Sequence, residues 1–446
     1  MRESTHFKDE RIMLLRHTIR TITLAIAAFY AVCPSHVQAQ CETTYFECDM
    51  DPCDSGCCDA MGCGASSPDG LAAFIGGLAE NGIILSGDFA QHYQGVVSGG
   101  LRQTGRYGGL FSYGATFDFG KLGLTQGTLL QVNGQSSIGE SINGDTGATL
   151  LAANAMGLQP AFTQRATSLT DFLLTQFLSE NFAVFAGRLN TFGGDMNAFA
   201  HGRGKTQFMH TALAINPTAF RVAPYVTYGA GFSILKDLVP IFSFSVIDPN
   251  NYSTRLDLDE LFNDGVTLTA ESRLPVEVFG RPGHVLVSGN WSNRTVINLN
   301  EIARIPFSGS LPIPVTSDSW AIFGNFDHYL ATYDKNNERG WGIFGRWGVA
   351  DEDSNPIEWF LSTGVGGNSR LLGREQDTFG LGWFYAGVSD SLPGLIFPDD
   401  SQGVEGFYGI GLSERIVLSP DAQWTRPSGR TVGDTWTLGM RLYMTL

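Results

Sequence analysis

The end of the chain constrains the fold more than any other stretch. Trp436, Leu438, Met440, Leu442, Met444 and Leu446 alternate one by one with Thr435, Thr437, Gly439, Arg441, Tyr443 and Thr445. A period of two places successive side chains on opposite faces of an extended strand, and no helix can reproduce it. The same alternation runs through residues 107–120, where Tyr107, Phe111, Tyr113, Ala115, Phe117 and Phe119 oppose Ser112, Gly114, Thr116 and Asp118. It runs again through residues 220–234, and in shorter form at 130–132, 183–189, 266–270, 341–349 and 379–385. A soluble sandwich would share this period. Here, however, the apolar faces extend for about 10 residues or more, the length a tilted strand needs to cross a bilayer. The opposite faces carry Gly, Ser, Thr and scattered charge, which suits a polar lumen and not a second apolar core. A sheet can satisfy its backbone in lipid only by closing on itself.

The expectation is an all-β fold, a transmembrane antiparallel β-barrel. At about 10 residues per strand, with short turns and long loops, residues 69–446 hold about 16 (16–18) strands. Polar stretches at 136–168, 191–216, 249–264, 293–318 and 390–403 are expected as loops, the first of them folded into the lumen. Residues 70–81 read as a short N-terminal helix. Trp341, Trp347, Trp359 and Trp383 are expected on the lipid face as part of an aromatic girdle.

Composition agrees where it matters. Charged residues make up 16% of the chain, against about 25% in globular domains. No run of about 20 apolar residues is present, so a helical membrane protein is excluded. The formal net charge of −16 argues against nucleic acid as a partner, because phosphate recognition needs a basic surface.

The N-terminus indicates the compartment. A short apolar stretch, residues 21–32, follows Arg16, His17 and Arg20 and leads into Val37-Gln38-Ala39. Residues 1–39 therefore read as a secretory signal peptide. Residues 40–68 form an acidic segment holding Cys41, Cys48, Cys53, Cys57, Cys58 and Cys63. In an exported chain this clustering points to disulfides in a periplasmic segment, and the spacing does not match a CxxC…CxxC zinc pattern. Residues 69–446 contain no cysteine. No G-x-S-x-G or H-E-x-x-H motif accompanies the histidines of this body, and no metal, cofactor or catalytic group is expected.

Several segments then resemble the carbohydrate-selective porin family (OprB-type). Leu78-Ala79-Glu80-Asn81-Gly82-Ile83, Val97-Ser98-Gly99-Gly100 and Tyr107-Gly108-Gly109 resemble that family's first hairpin. Phe117-Asp118-Phe119-Gly120-Lys121-Leu122-Gly123-Leu124 resembles its following stretch, and Gly187-Arg188-Leu189-Asn190 the motif that enters its next loop. Asp377-Thr378-Phe379-Gly380-Leu381-Gly382, and then Glu405, Tyr408 and Ser419-Pro420-Asp421-Ala422-Gln423-Trp424 before the Gly439-Met440-Arg441-Leu442 strand, resemble its C-terminal part. The resemblance is colinear over residues 70–446, weakest at about 235–330, and does not extend to the Cys-rich segment.

The resemblance implies an outer-membrane porin for passive diffusion of sugars or other small hydrophilic solutes. Its implied partners are outer-membrane lipids and the barrel-assembly machinery, with peptidoglycan or envelope contact through the Cys-rich segment. A sugar-selective channel needs aromatic platforms and charged or amide groups that exchange hydrogen bonds with hydroxyls. The lumen-facing candidates are Asp118, Gln131, Asn133, Arg188, Arg221, Tyr225, Arg346, Glu405 and Arg441, joined by Glu140, Asp145 and Arg165 from the inward loop. Arg188, a charge within a strand beside a long loop, is the foremost of them. A second reading makes the barrel a passive anchor that holds the Cys-rich segment to the envelope.

Overall fold

The computed structural model describes residues 70–147, 150–160, 166–302, 313–333, 339–392, 399–429 and 431–446. The signal peptide, the six cysteines and Arg165 lie outside these residues. The chain divides into two units, residues 1–81 and 82–446. The described part of the first is a helix, α1 (Gly70–Glu80), short and rich in Ala and Gly, where the sequence anticipates one. Its last turn is closed by Asn81, whose side-chain amide donates to the Gly77 carbonyl at 2.7 Å.

The second unit is a closed barrel of antiparallel strands. In chain order these are β1 (Ile83–Ser98), β2 (Gly105–Asp118), β3 (Thr128–Gly139), β4 (Thr167–Ser179), β5 (Phe182–Asn190), β6 (Val226–Lys236), β7 (Val239–Ile247), β8 (Thr267–Val278) and β9 (Arg281–Ser292). A separate two-stranded ribbon follows, β10 (Val296–Ile297) with β11 (Val315–Thr316). The barrel resumes with β12 (Ser319–Thr332), β13 (Gly340–Ala350), β14 (Ile357–Asn368), β15 (Thr378–Val388), β16 (Ser401–Ser413), β17 (Ile416–Arg426) and β18 (Thr435–Thr445). Strand β12 pairs with β9, and β18 closes on β1 from Asp88↔Thr445 to Ser98↔Trp436, which gives 16 wall strands. Closure leaves the barrel wall without a free edge.

The tightest connections gather at one end of the barrel. There, tight links join β4 to β5, β6 to β7, β8 to β9 and β16 to β17. Asp237 and Leu238 (φ 53° and 62°), like Phe279 and Gly280 (φ 53° and 69°), adopt the left-handed conformations that two-residue hairpin turns demand. The other end carries the long segments 140–166, 191–225, 248–266 and 293–318. In outer-membrane barrels the short turns face the periplasm and the long loops the exterior.

Register sorts the side chains. Paired residues share a face, so the ladders carry Trp347, Leu361, Tyr385 and Val404 outward while Arg346, Ser362, Phe384 and Gly403 point inward. All eight tryptophans fall on the outer face. Trp291 stands beside Trp320, and Trp424 beside Trp436, near the long-loop end. Trp359 stacks on Tyr385 with ring centroids 5.0 Å apart. These rings form the belt expected of residues that sit between headgroups and hydrocarbon. Among the described residues no helix is long and apolar enough to cross a membrane.

One sequence expectation needs correction here. The alternation from Phe220 predicts a strand beginning there, but residues Pro217–Arg221 form a 3-10 turn and β6 starts at Val226. Asn216 caps that turn by accepting from the Thr218 N–H, and Pro217 supplies the fixed φ of a first helical position. Local capping overrides the two-residue period.

Candidate functional site

The lumen is not an open tube. Residues 191–225 leave the end of β5, cross the barrel interior and return to β6, held by charged groups that the inner wall presents. Arg346 on β13 is fully buried. Its Nε donates to Asp195 Oδ2 at 2.9 Å, and its two terminal nitrogens donate to the carbonyls of Leu213, Asp195 and Ala200. Arg441 on β18 donates to the carbonyls of Gly204 (2.8 Å), Gln207 (2.6 Å) and Thr206 (3.0 Å). Glu405 on β16 works in the opposite sense, accepting the N–H groups of Met209 and His210. Lys205 reaches Asp88 on β1 at 2.6 Å. A charge in a strand is expensive to bury alone, and here Arg346, Arg441 and Glu405 each satisfy backbone groups that would otherwise be orphaned inside the barrel.

Apolar packing completes the seat. Phe199, Phe208, Ala212 and Leu213 of the crossing segment pack with Phe344, Phe360, Phe384 and Phe407 of the wall. The Phe208 ring lies 5.1 Å edge-on to Phe407. Wall glycines make room: a Cβ at Gly382 would come within 2.8 Å of Leu213, and one at Gly380 within 2.8 Å of Phe208.

Residues 150–160 also fold inward, as anticipated, but as a prop. Asn154 donates to the Gln94 side chain at 3.2 Å, the Ala152 carbonyl accepts from Thr211, and Ala155 donates to the Met209 carbonyl. Its base is fixed by Arg106, which pairs with Glu140 at 2.5 Å and with Asp145 at 2.7 Å. Burial would raise the Asp145 carboxyl, but Arg106 and Arg102 outweigh it and hold the group below the usual carboxylate range.

On the inner face of β8, β9 and β12, Arg273, His284 and Asp327 form a chain. His284 Nδ1 lies 2.9 Å from Asp327 Oδ1, and Arg273 lies 3.9 Å from Asp327 Oδ2. Arg273 and His284 keep 20% and 28% side-chain exposure, while Asp327 keeps 0%. Glu271, the neighbouring inward residue of β8, accepts the Asp195 N–H at 3.2 Å. From the crossing segment, Arg203 is held at φ 47°, a conformation that costs a non-glycine residue about 1 kcal/mol or more. Burial pushes the His201 imidazole down to about 3, with the charges of Arg203, Arg346 and Arg273 acting in the same sense. Arg273 and His284 thus stand beside the carboxylates of Asp327 and Glu271 on one stretch of the inner wall, against which the crossing segment lies.

The sequence candidates fall into distinct groups in the fold. Arg346, Glu405 and Arg441 meet at the crossing segment, as seats for it. Tyr225 is buried in the lumen, donating to Gln135 and accepting from Asn190. Gln131 and Asn133 stand on the inner face opposite Thr116 and Gly114. Asp118 instead caps the β2–β3 turn, accepting from the N–H groups of Gly120 (2.9 Å) and Lys121 (3.2 Å). Arg221 lies in the 3-10 turn at the long-loop mouth.

Arg188 is misplaced by the sequence reading. The inward residues of β5 are Ala183, Phe185, Gly187 and Leu189, so Arg188 points outward between Phe172 and Tyr228. There residues 248–266 cover it: its guanidinium donates to the carbonyls of Tyr252 (2.7 Å) and Arg255 (2.9 Å), and to the Tyr228 hydroxyl. It fastens a loop to the outside of the wall. The sequence reading also passed over Asp195, Glu271, Arg273, His284 and Asp327. For the strand residues the signal was present, a charge at an inward position flanked by Thr269 or Asn325.

The comparisons with known proteins follow this geometry. The family model described as carbohydrate-selective porin, OprB family, matches residues 102–446. Among solved structures, the high-pH structure of Pseudomonas putida OprB is similar, with a TM-score of 0.71 at 16% identity, covering 83% of this chain and 96% of that one. The low-pH structure of Pseudomonas putida OprB gives a TM-score of 0.53 at 15% identity over 85% and 98% of the two chains. Comparison with curated proteins finds no match.

Proposed function

Because the chain belongs to the carbohydrate-selective porin, OprB family, we propose that its lumen selects sugars, and does so at the seam between the crossing segment and the β6–β9 wall. Passive diffusion of small solutes across the outer membrane is the work of such a barrel. The observation that carries the finer reading is the crossing segment itself, held by Arg346, Glu405 and Arg441 and facing Glu271, Arg273 and His284. A neutral, hydroxyl-rich solute loses water hydrogen bonds on entering a constriction, and paired charged and amide groups replace them. Fixed groups do this without having to reorganise around each passing molecule. No reacting group is activated in this scheme, and the chain acts as a channel.

For the parts outside the described residues, we propose that residues 1–39 direct export and that residues 40–68 form a disulfide-bonded periplasmic segment. The central test is reconstitution of the mature protein. Planar bilayers are expected to show channels whose current is interrupted by mono- and disaccharides, and liposomes to take those sugars up. Absence of both conductance and sugar flux would sink the porin reading. Conductance without sugar block would leave a general pore.

A further inference from the structure

A cavity of about 390 Å³ opens at the long-loop end, where residues from 191–225, 248–266 and 293–297 converge with Val315. That volume lies within the range of about 300–1,000 Å³ usual for small-molecule sites. Its floor is aromatic. Phe192 stacks with Phe220 at 5.3 Å and meets Tyr225 edge-on at 4.4 Å. Its polar rim includes Arg221, Arg294 and Asn251, and among the described residues no carboxylate lines it.

The two arginines distinguish this place from the rest of the protein. Elsewhere the guanidiniums are largely spent, on carboxylates or on loop carbonyls. Among the described residues no carboxylate lines the cavity beside Arg221 and Arg294; the Arg294 guanidinium donates to the Pro249 carbonyl at 3.1 Å, while its backbone N–H donates to Ser292 Oγ. Burial and the facing charge of Arg294 push the Arg221 guanidinium below its usual value. Two cations brought together without a counter-charge, in a chain of net charge −16, form a local positive field at a channel entrance. Low-dielectric walls focus such a field on an incoming anion.

We propose that this cavity is a binding site for an anionic sugar, one carrying a carboxylate or phosphate ester. The anionic group lies between Arg221 and Arg294, Asn251 exchanges hydrogen bonds with a hydroxyl, and the sugar's C–H face rests on Phe192 and Phe220. A planar guanidinium matches a carboxylate or phosphate through parallel hydrogen bonds, and an aromatic ring supplies the apolar half of the contact. The site deepens the sugar-channel reading, and it rests on that reading only for the hydroxylated part of its ligand.

The test is calorimetric titration of the purified full-length protein in detergent with glucuronate, glucose and inorganic phosphate. Glucuronate and glucose share a ring and differ at the outer carbon. Glucuronate is expected to bind at least about tenfold more tightly than glucose, the worth of one charge-assisted pairing. It is also expected to bind more tightly than phosphate, and to lose that advantage in the Arg221→Gln/Arg294→Gln double variant. Equal affinity for glucuronate and glucose, or an advantage that survives the double substitution, overturns the proposal. Phosphate binding as tightly as glucuronate does so too, by reducing the cavity to a plain anion site. Bilayer recordings on the same sample keep the two readings apart: silent bilayers with intact, Arg-dependent glucuronate binding would remove the channel and leave the site standing.

Discussion

Arg346 shows how one side chain can define a passage. It is the hub at which Asp195 and the carbonyls of Ala200 and Leu213 converge. Replacing it with Met leaves Asp195 with a buried, partly uncompensated charge, at a cost of about 3–5 kcal/mol. The Arg346→Met variant should therefore melt at lower temperature, and the crossing segment should release from β13. Single-channel conductance is expected to rise, and disaccharide flux with it; a variant that conducts like the parent would contradict the seat. Lys in its place keeps the charge but not the fork that serves three carbonyls, so it should fall between the two. Arg188 gives the opposite expectation. Because it faces outward, Arg188→Ala should leave sugar flux unaltered while exposing residues 248–266 to proteolysis. Altered sugar block with unchanged protease resistance would return Arg188 to the lumen.

At the scale of elements, the strands were legible and the crossing segment was not, for a physical reason. Alternation is local, so β2, β13, β15 and β18 can be read from a dozen residues. The choice of which loop enters the barrel depends on pairs such as Asp195 with Arg346, separated by 151 positions, and no local pattern reports them. Composition hinted only indirectly, through 55 glycines in 446 residues, about 12% against the usual 7% or so. Part of that excess is now placed beneath the loop, at Gly380 and Gly382. This yields a further expectation: Gly382→Ala should push Leu213 off the wall while Lys205 and Arg441 hold the flanking backbone. The segment then bows toward the passage, and conductance falls. Equal conductance in the variant would show that the loop yields without narrowing the pore. The Phe220 error has the same origin in reverse, since a capped 3-10 turn can carry alternating residues without being a strand.

For the whole molecule, the outer face decides where the barrel sits. All eight tryptophans point away from the lumen, most of them near the long-loop end. In reconstituted membranes their emission is expected to be quenched by lipids brominated high on the acyl chain, and only weakly by aqueous iodide. The reverse order would mean that the wall had been read inside out. The hydrogen bonds that seat the crossing segment have a different kind of consequence. Arg346, Arg441 and Glu405 bind mainly its carbonyls and amides, groups that every residue carries whatever its side chain. Point changes along the segment therefore leave its moorings in place, whereas a change in the wall removes several at once. The fold separates inheritance of the frame from adjustment of the filter, and a lineage can retune what passes without rebuilding the structure that holds it.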